Sequence, residues 1–256
     1  MADSKLCLMA IFAHPDDEAF GPAGTIAKYT RLGIKVALLT ATRGEAGMTG
    51  GLPINGPAEL GKVREKELQC SCRALGIDPC RILSYPDGGV ARADATELEG
   101  QMVAFIREQQ PQVIVTFGPD GISRHPDHMA VSRLATAAFN SAGDAARFPE
   151  HLQQGLSPHR PSKLYYVALP RSLVERFGME LASTPDDSIS AVIDISAQIE
   201  TKVAALKCHR TQAADYNSFL EMGLEQHHMN KEYYVLHRST LSRPRGVEDD
   251  LFAGLR

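Results

Sequence analysis

Two short stretches of this chain carry histidine and carboxylate side chains at spacings suited to holding a metal ion: His14-Pro15-Asp16-Asp17-Glu18 and His125-Pro126-Asp127-His128. Imidazole and carboxylate both ligate Zn²⁺ at ~2.0–2.2 Å. A chain that leaves a strand and turns into a helix can aim His14 and Asp17 at one point, and His128 would arrive from the second stretch as a third ligand. Three protein ligands leave an open position, as catalytic rather than structural zinc requires. Such a site activates a water and polarises a carbonyl, which suits hydrolysis of an amide or ester. Asp16, beside the ligand Asp17, is placed to take a proton from that water. His125 is then left to stabilise an oxyanion or protonate a leaving amine, and Asp127 to hold His125 in one tautomer. A blander reading stands beside this one. Pro at the first helical position and acids in the first turn are ordinary at a helix N-terminus. Capping accounts for either stretch alone, and poorly for the two together. A His₂-carboxylate set accepts Fe²⁺ or Co²⁺ as well as Zn²⁺.

The elements that must position these residues alternate in type. Residues 6–13, 34–40, 81–84 and 112–117 are short, apolar or β-branched runs bounded by turn signals, and read as strands. Residues 19–32, 58–75 and 95–108 have helical apolar spacing, with Gly33 and Gly76 where a helix C-cap favours glycine. The pattern predicts an α/β fold with a Rossmann-like, mostly parallel sheet, helices on both faces and the active site at the carboxyl ends of the strands. Both His-Pro-Asp stretches follow a predicted strand. Further on, 129–140 and 197–209 read as helices, 163–169 and 189–195 as strands, 141–161 as irregular, and the segment from about 238 as a polar tail. No linker divides the chain, so a single domain over 1–256 is expected.

Composition bounds the partners. The 256 residues are 43% hydrophobic and 23% charged with net charge −4, and no basic stripe stands out, which argues against nucleic acid. The apolar run at 6–13 falls far short of the ~20 residues that span a bilayer. Lys5 precedes it as in a signal peptide, but Asp3 spoils a basic start and no small-x-small site follows. It reads as a buried first strand of a cytoplasmic protein that needs no membrane. Five cysteines, with no C-x-x-C pair, suit a reducing compartment better than a disulfide framework.

The glycine-rich loop from Thr42 to Gly56 lies on the same face as the two motifs. Arg43 and Arg64 are candidates to grip sugar hydroxyls or a phosphate, and Asp87 to accept hydrogen bonds from a sugar ring. The alternative is local ion pairing of Arg43 with Glu45 and Arg64 with Glu67. Gly56 to Lys62 has the spacing of a P-loop, but Val63 stands where a hydroxyl is required and no strand precedes it, so that reading is discarded. The 202–212 segment reads as a pocket cap, a subunit contact or a plain amphipathic helix.

Taken together, these residues resemble the zinc-dependent de-N-acetylases related to LmbE proteins, which include phosphatidylinositol N-acetylglucosamine de-N-acetylase (PIG-L) and the mycothiol and bacillithiol deacetylases. The resemblance rests on Ala13 to Glu18 and His125 to His128. Thr42-Arg43-Gly44-Glu45-Ala46-Gly47, Arg64-x-x-Glu67, Leu75-Gly76, Asp87-Gly88 and His209-x-Thr211-Gln212 are similar too. It implies that His14, Asp17 and His128 are zinc ligands, Asp16 the general base, His125 the transition-state stabiliser and Asp127 its partner. The implied reaction removes acetyl from an N-acetylglucosamine-type amino sugar, without an organic cofactor; related proteins are often oligomers, so a homo-oligomer is an option, and the sequence does not fix the oligomeric state. Two departures bear on the substrate: Arg124 where the family often has Gly, and Ser123 where mycothiol-type members carry Tyr. Two other functions compete: an amidase of a thiol or glycoside conjugate using the same zinc site, and a nucleotide- or sugar-binding module whose acids merely cap helices.

Overall fold

The longest uninterrupted apolar runs become the central strands of one sheet. The computed structural model describes residues 6–224, 229–242 and 246–256. Its strands are β1 (Cys7–Phe12), β2 (Lys35–Thr42), β3 (Cys80–Tyr85), β4 (Val113–Phe117), β5 (Lys163–Ala168), β6 (Ala191–Asp194) and β7 (Lys231–Ser239). The helices are α1 (Asp17–Phe20), α2 (Ala23–Arg31), α3 (Pro57–Leu75), α4 (Ala95–Gln109), α5 (Pro126–Ser141), α6 (Glu150–Gln153), α7 (Arg171–Phe177), α8 (Ile199–Cys208) and α9 (Ala213–Phe219).

The sheet runs in the order β3-β2-β1-β4-β5-β7-β6. Strands β3 through β5 are parallel, and β7 lies antiparallel to both β5 and β6. This is the expected Rossmann-like α/β fold. Every residue of β1 and β4 is buried, as a strand covered on both faces must be. Helices α2 and α3 pack on α8, and α4 packs on α5. Strand order reverses between β1 and β4, the topological switch point where ligands bind in open α/β sheets. The His14 and His125 motifs leave those two strands.

Three expectations give way. The helix expected over 19–32 is broken into α1 and α2 at Gly21-Pro22, because proline offers no N–H to a continuing helix. The polar tail expected from about 238 begins inside β7, and Leu251 and Phe252 beyond it are fully buried. Strand β7 is mostly half-buried, so its sequence carries little of the hydropathy that marks the central strands. Cys70 of α3 and Cys208 of α8 form a disulfide across 138 residues, a pairing no local spacing reveals. It overturns the reading of unpaired cysteines and removes their support for a reducing compartment. No helix among the described residues is long and apolar enough to cross a membrane. Asp3 and Lys5, used above to judge the amino terminus, lie outside the described residues.

Candidate metal centre

Strand β1 ends at Phe12, and the chain folds back so that the Asp17 carboxylate caps its own approach. Oδ2 of Asp17 accepts the backbone N–H groups of His14 (2.7 Å) and Ala13 (3.1 Å). Its Oδ1 is left facing Nε2 of His128 at 3.4 Å. Asp16, between them, is held at φ 123°, a left-handed conformation costly for a non-glycine residue and typical of functional turns. On the other side of the switch point, the Gly118–His125 loop carries Gly121, Ile122 and Arg124 at positive φ. A Cβ on Gly121 would stand 2.7 Å from the Cβ of His128, so glycine lets the loop close over that imidazole.

Each imidazole has its tautomer set by a second partner. Nδ1 of His128 lies 2.9 Å from the Gly121 carbonyl, an acceptor only, so it carries the proton and Nε2 is bare. Nε2 of His14 lies 3.0 Å from Asp87 Oδ1 and 3.4 Å from Asp127 Oδ2, again acceptors only, so Nδ1 is bare. The two bare nitrogens face each other at 3.1 Å, with Asp17 Oδ2 3.8 Å from His14 Nδ1. Converging lone pairs and a carboxylate at that spacing require a cation or a proton between them. Tetrahedral donors on bonds of ~2.0–2.1 Å lie about 3.4 Å apart, so this set fits a metal such as zinc. Burial opposes a positive His14, yet the Asp127, Asp87 and Asp17 carboxylates outweigh it and push the imidazole up to about 10. Without an ion, Nδ1 of His14 therefore takes up a second proton and shares it with His128 Nε2; a bound metal would replace that proton. Two groupings gather one donor atom from each residue within 4.8 Å: His14 with His125 and His128, and His14 with Asp87 and Asp127, the latter on the proton-bearing side of the His14 ring; Asp17 approaches the first through separate oxygens, Oδ1 toward His128 and Oδ2 toward His14.

Asp127 departs from its expected role. Its buried carboxylate accepts the N–H groups of Gly88 (2.7 Å) and Val90 (3.0 Å) and faces His14, not His125. Helix α5 begins at Pro126, and this geometry comes from the acid at the helix's second position turning inward toward the loop after β3. His125 instead uses Nδ1 to accept the backbone N–H of Asp127 at 3.2 Å, which leaves its Nε2 as a donor when the ring is neutral. Burial, then the His14 and His128 imidazoles, push His125 below the usual histidine value. Its ring stands edge-on to His14 at 4.8 Å.

The three residues expected to bind substrate divide. Asp87 lines the cavity but spends Oδ1 on His14 and Oδ2 on the Ala46 N–H (3.0 Å). Arg64 is buried, and its guanidinium donates to Asp16 Oδ2 (2.7 Å), the Gly44 carbonyl (2.9 Å) and the Pro15 carbonyl. A Cβ on Gly44 or Gly47 would collide with that guanidinium, so both glycines serve its close approach. Arg43 is half exposed, pairs with Glu65 at 3.4 Å, and does not line the cavity. Burial pushes the Asp16 carboxyl up to about 7 even against Arg64, with Asp17 adding to the rise.

Sequence reasoning passed over Glu18. This fully buried carboxylate accepts the Asp16 N–H (3.0 Å), the Ser71 hydroxyl (2.5 Å) and His209 Nε2–H (2.8 Å). The His209-x-Thr211-Gln212 run is therefore spent inward. Thr211 donates twice to Glu67, and Gln212 reaches the Met48 carbonyl and lines the cavity. The cavity itself encloses about 610 Å³, the scale of a small-molecule site.

Fold and site place a small-molecule cavity lined by His and carboxylate side chains at the switch point of an α/β sheet. Comparison with known proteins narrows the reading. Residues 9–139 match the PIG-L family, described as GlcNAc-PI de-N-acetylase. A 1D-myo-inositol 2-acetamido-2-deoxy-alpha-D-glucopyranoside deacetylase of Salinispora arenicola is 34% identical over 294 residues, covering 97% of this chain and 91% of that protein. Among solved structures, the N,N'-diacetylchitobiose deacetylase of Pyrococcus horikoshii superposes with TM-score 0.73 at 22% identity, covering 94% of this chain and 88% of that one. The 4-carboxy-2-hydroxymuconate hydratase GalB of Pseudomonas putida shares the fold equally, with TM-score 0.73 at 17% identity over 93% and 99% of the two chains. The chain belongs to the PIG-L family of LmbE-like de-N-acetylases and is a hydrolytic N-deacetylase.

Proposed function

We propose that this protein removes the acetyl group from the amine of an N-acetylglucosamine-type sugar or its small-molecule conjugate, using a metal held by His14, Asp17 and His128. The carrying observation is the pair of bare imidazole nitrogens at 3.1 Å beside the Asp17 carboxylate. Zn²⁺ is the proposed ion, with Fe²⁺ or Co²⁺ able to use the same donors. An ion there supplies Lewis acidity to a water and to the amide carbonyl.

The chain's own residues do the rest. Asp16 takes the proton of the attacking water, its carboxyl poised near neutrality and its Oδ2 held by Arg64. Neutral His125 donates from Nε2 to the carbonyl oxygen as negative charge develops there. Asp87 and Asp127 keep the His14 ring turned so that Nδ1 faces His128 Nε2 and Asp17, the donors that would hold the ion with it. The amide C–N bond breaks, the water oxygen goes to acetate, and the amine leaves with the proton that Asp16 accepted. The supporting relatives are the inositol glucosaminide deacetylases and the chitobiose deacetylase named above.

The test is acetate release from N-acetylglucosamine glycosides by the purified, metal-loaded protein. Release should vanish on chelation and return with Zn²⁺. Asp16→Asn should lower kcat by about 10²–10⁴-fold while the metal stays bound. Release indifferent to chelator and to Asp16→Asn would refute the mechanism.

A further inference from the structure

The cavity that begins at the metal centre does not end with a polar sugar-binding surface. Its far wall is built by Phe20, Leu169, Leu173, Met179, Leu181 and Phe219, contributed by α1, the end of β5, the α7 region and α9. Phe20 and Phe219 stand edge to face at 5.7 Å. The charged residues set in this wall have nothing left to offer a ligand. Lys202 donates to Glu232 (2.6 Å) and to the Gly21 (2.7 Å) and Phe20 (3.1 Å) carbonyls. Glu232 also accepts the N–H groups of Gly24 and Thr25 and the Tyr234 hydroxyl. Asp215, Ser218 and Lys231 are exposed, and half-buried Tyr233 is the remaining polar side chain on this part of the lining.

We propose that this wall is a subsite for an apolar aglycone carried by the sugar, an alkyl or aryl group and not a polyol; the proposal rests on the deacetylase reading above. The wall is continuous with the metal centre, so whatever fills it is part of the same substrate. The family's reaction assigns acetyl to the acyl side, which leaves the remainder of the conjugate for the apolar side. A ring of hydroxyls set against those six apolar side chains would lose water and gain no hydrogen bond from them, at a cost that disfavours it. The alignment with the Salinispora arenicola relative, whose name specifies an inositol glycoside, runs over 294 residues against the 256 of this chain. That relative therefore carries segments this chain lacks, and its substrate wall need not be this one.

The experiment is a homologous series of alkyl 2-acetamido-2-deoxyglucopyranosides, methyl to octyl, assayed for acetate release beside the inositol glycoside. A second series holds the methyl aglycone and lengthens the N-acyl group from acetyl to hexanoyl. Each CH₂ fully buried is worth roughly fourfold. The expected result is kcat/KM rising about two- to fourfold per CH₂ of aglycone, mainly through KM, up to a chain length that fills the wall. The N-acyl series should show no such rise. Leu173→Asn and Phe219→Asn should each flatten the aglycone slope, measured against each variant's own methyl glycoside. Acetate release with a flat aglycone series, or a preference for the inositol glycoside, would overturn the subsite and leave the deacetylase reading standing. A rise along the N-acyl series instead would overturn the assignment to the aglycone. No acetate from any glycoside would overturn the deacetylase reading, and the subsite with it.

Discussion

Asp87→Asn separates two roles for one carboxylate. As a substrate-binding residue, the role read from the sequence, Asp87 would affect KM and leave the metal alone. The structure puts its Oδ1 3.0 Å from His14 Nε2 and its Oδ2 3.0 Å from the Ala46 N–H. Burial opposes ionisation here, yet the His14 contacts and the Ala46 N–H pull the carboxyl down to about 2. An asparagine cannot serve both partners. With its oxygen toward His14, its NH₂ meets the Ala46 N–H; turned over, its NH₂ meets the His14 proton. Loss of a partner that orients a ligand costs about 10–100-fold in metal affinity. Asp127 stays 3.4 Å from the same nitrogen, so the lower end is expected: about tenfold, or about 1.4 kcal/mol. Competition against a chromophoric chelator would measure the dissociation constant, with acetate release at limiting and saturating Zn²⁺ alongside. Activity should be lost at limiting metal and largely recovered at saturation. Unchanged metal affinity with a raised KM would refute this account of Asp87.

Three further outcomes follow from the same structure. The acid limb of kcat/KM should lie near the Asp16 value of about 7, since the base works only as a carboxylate; Arg64→Gln removes a charge that favours the anion and should move the limb to higher pH, read from a pH–rate profile. Glu18→Gln leaves the buried His209 without its carboxylate and should cost about 3–5 kcal/mol of stability in urea unfolding. Glu18 is held below and His209 above their usual values, so this contribution is lost both as pH falls through the Glu18 value and as it rises through the His209 value; it should be complete between ~4.3 and ~6.5. Unreduced, denatured protein should titrate with three thiols, from Cys7, Cys72 and Cys80, and Cys70→Ser should lower stability by about 2–4 kcal/mol.

How much was legible in the sequence follows from how local each signal is. Strands β1 and β4 are continuous apolar runs ending in His-Pro-Asp, so both the elements and the residues they carry could be read directly. The convergence of His14, Asp17 and His128 was inferable because two parallel strands beside a switch point bring their carboxyl ends together. What escaped depends on contacts between distant segments. Asp87 and Asp127 act on His14 from the loop after β3 and the start of α5, and nothing in their neighbours announces it. Glu18 looked like a first-turn acid, yet Ser71 and His209 enclose it from two remote helical segments. Strand β7 pairs antiparallel at the weakly hydrophobic side of the sheet, and the Cys70–Cys208 bridge joins helices whose packing only the fold determines.

Anomalous diffraction from a crystal of the Zn²⁺-loaded protein tests the central claim most directly. One ion is expected between His14 Nδ1, Asp17 and His128 Nε2, at ~2.0–2.2 Å from each, with Asp87 and Asp127 on the opposite nitrogen of the His14 ring. An ion ligated by His14 Nε2, Asp87 and Asp127, or no ion within reach of His128, would contradict it.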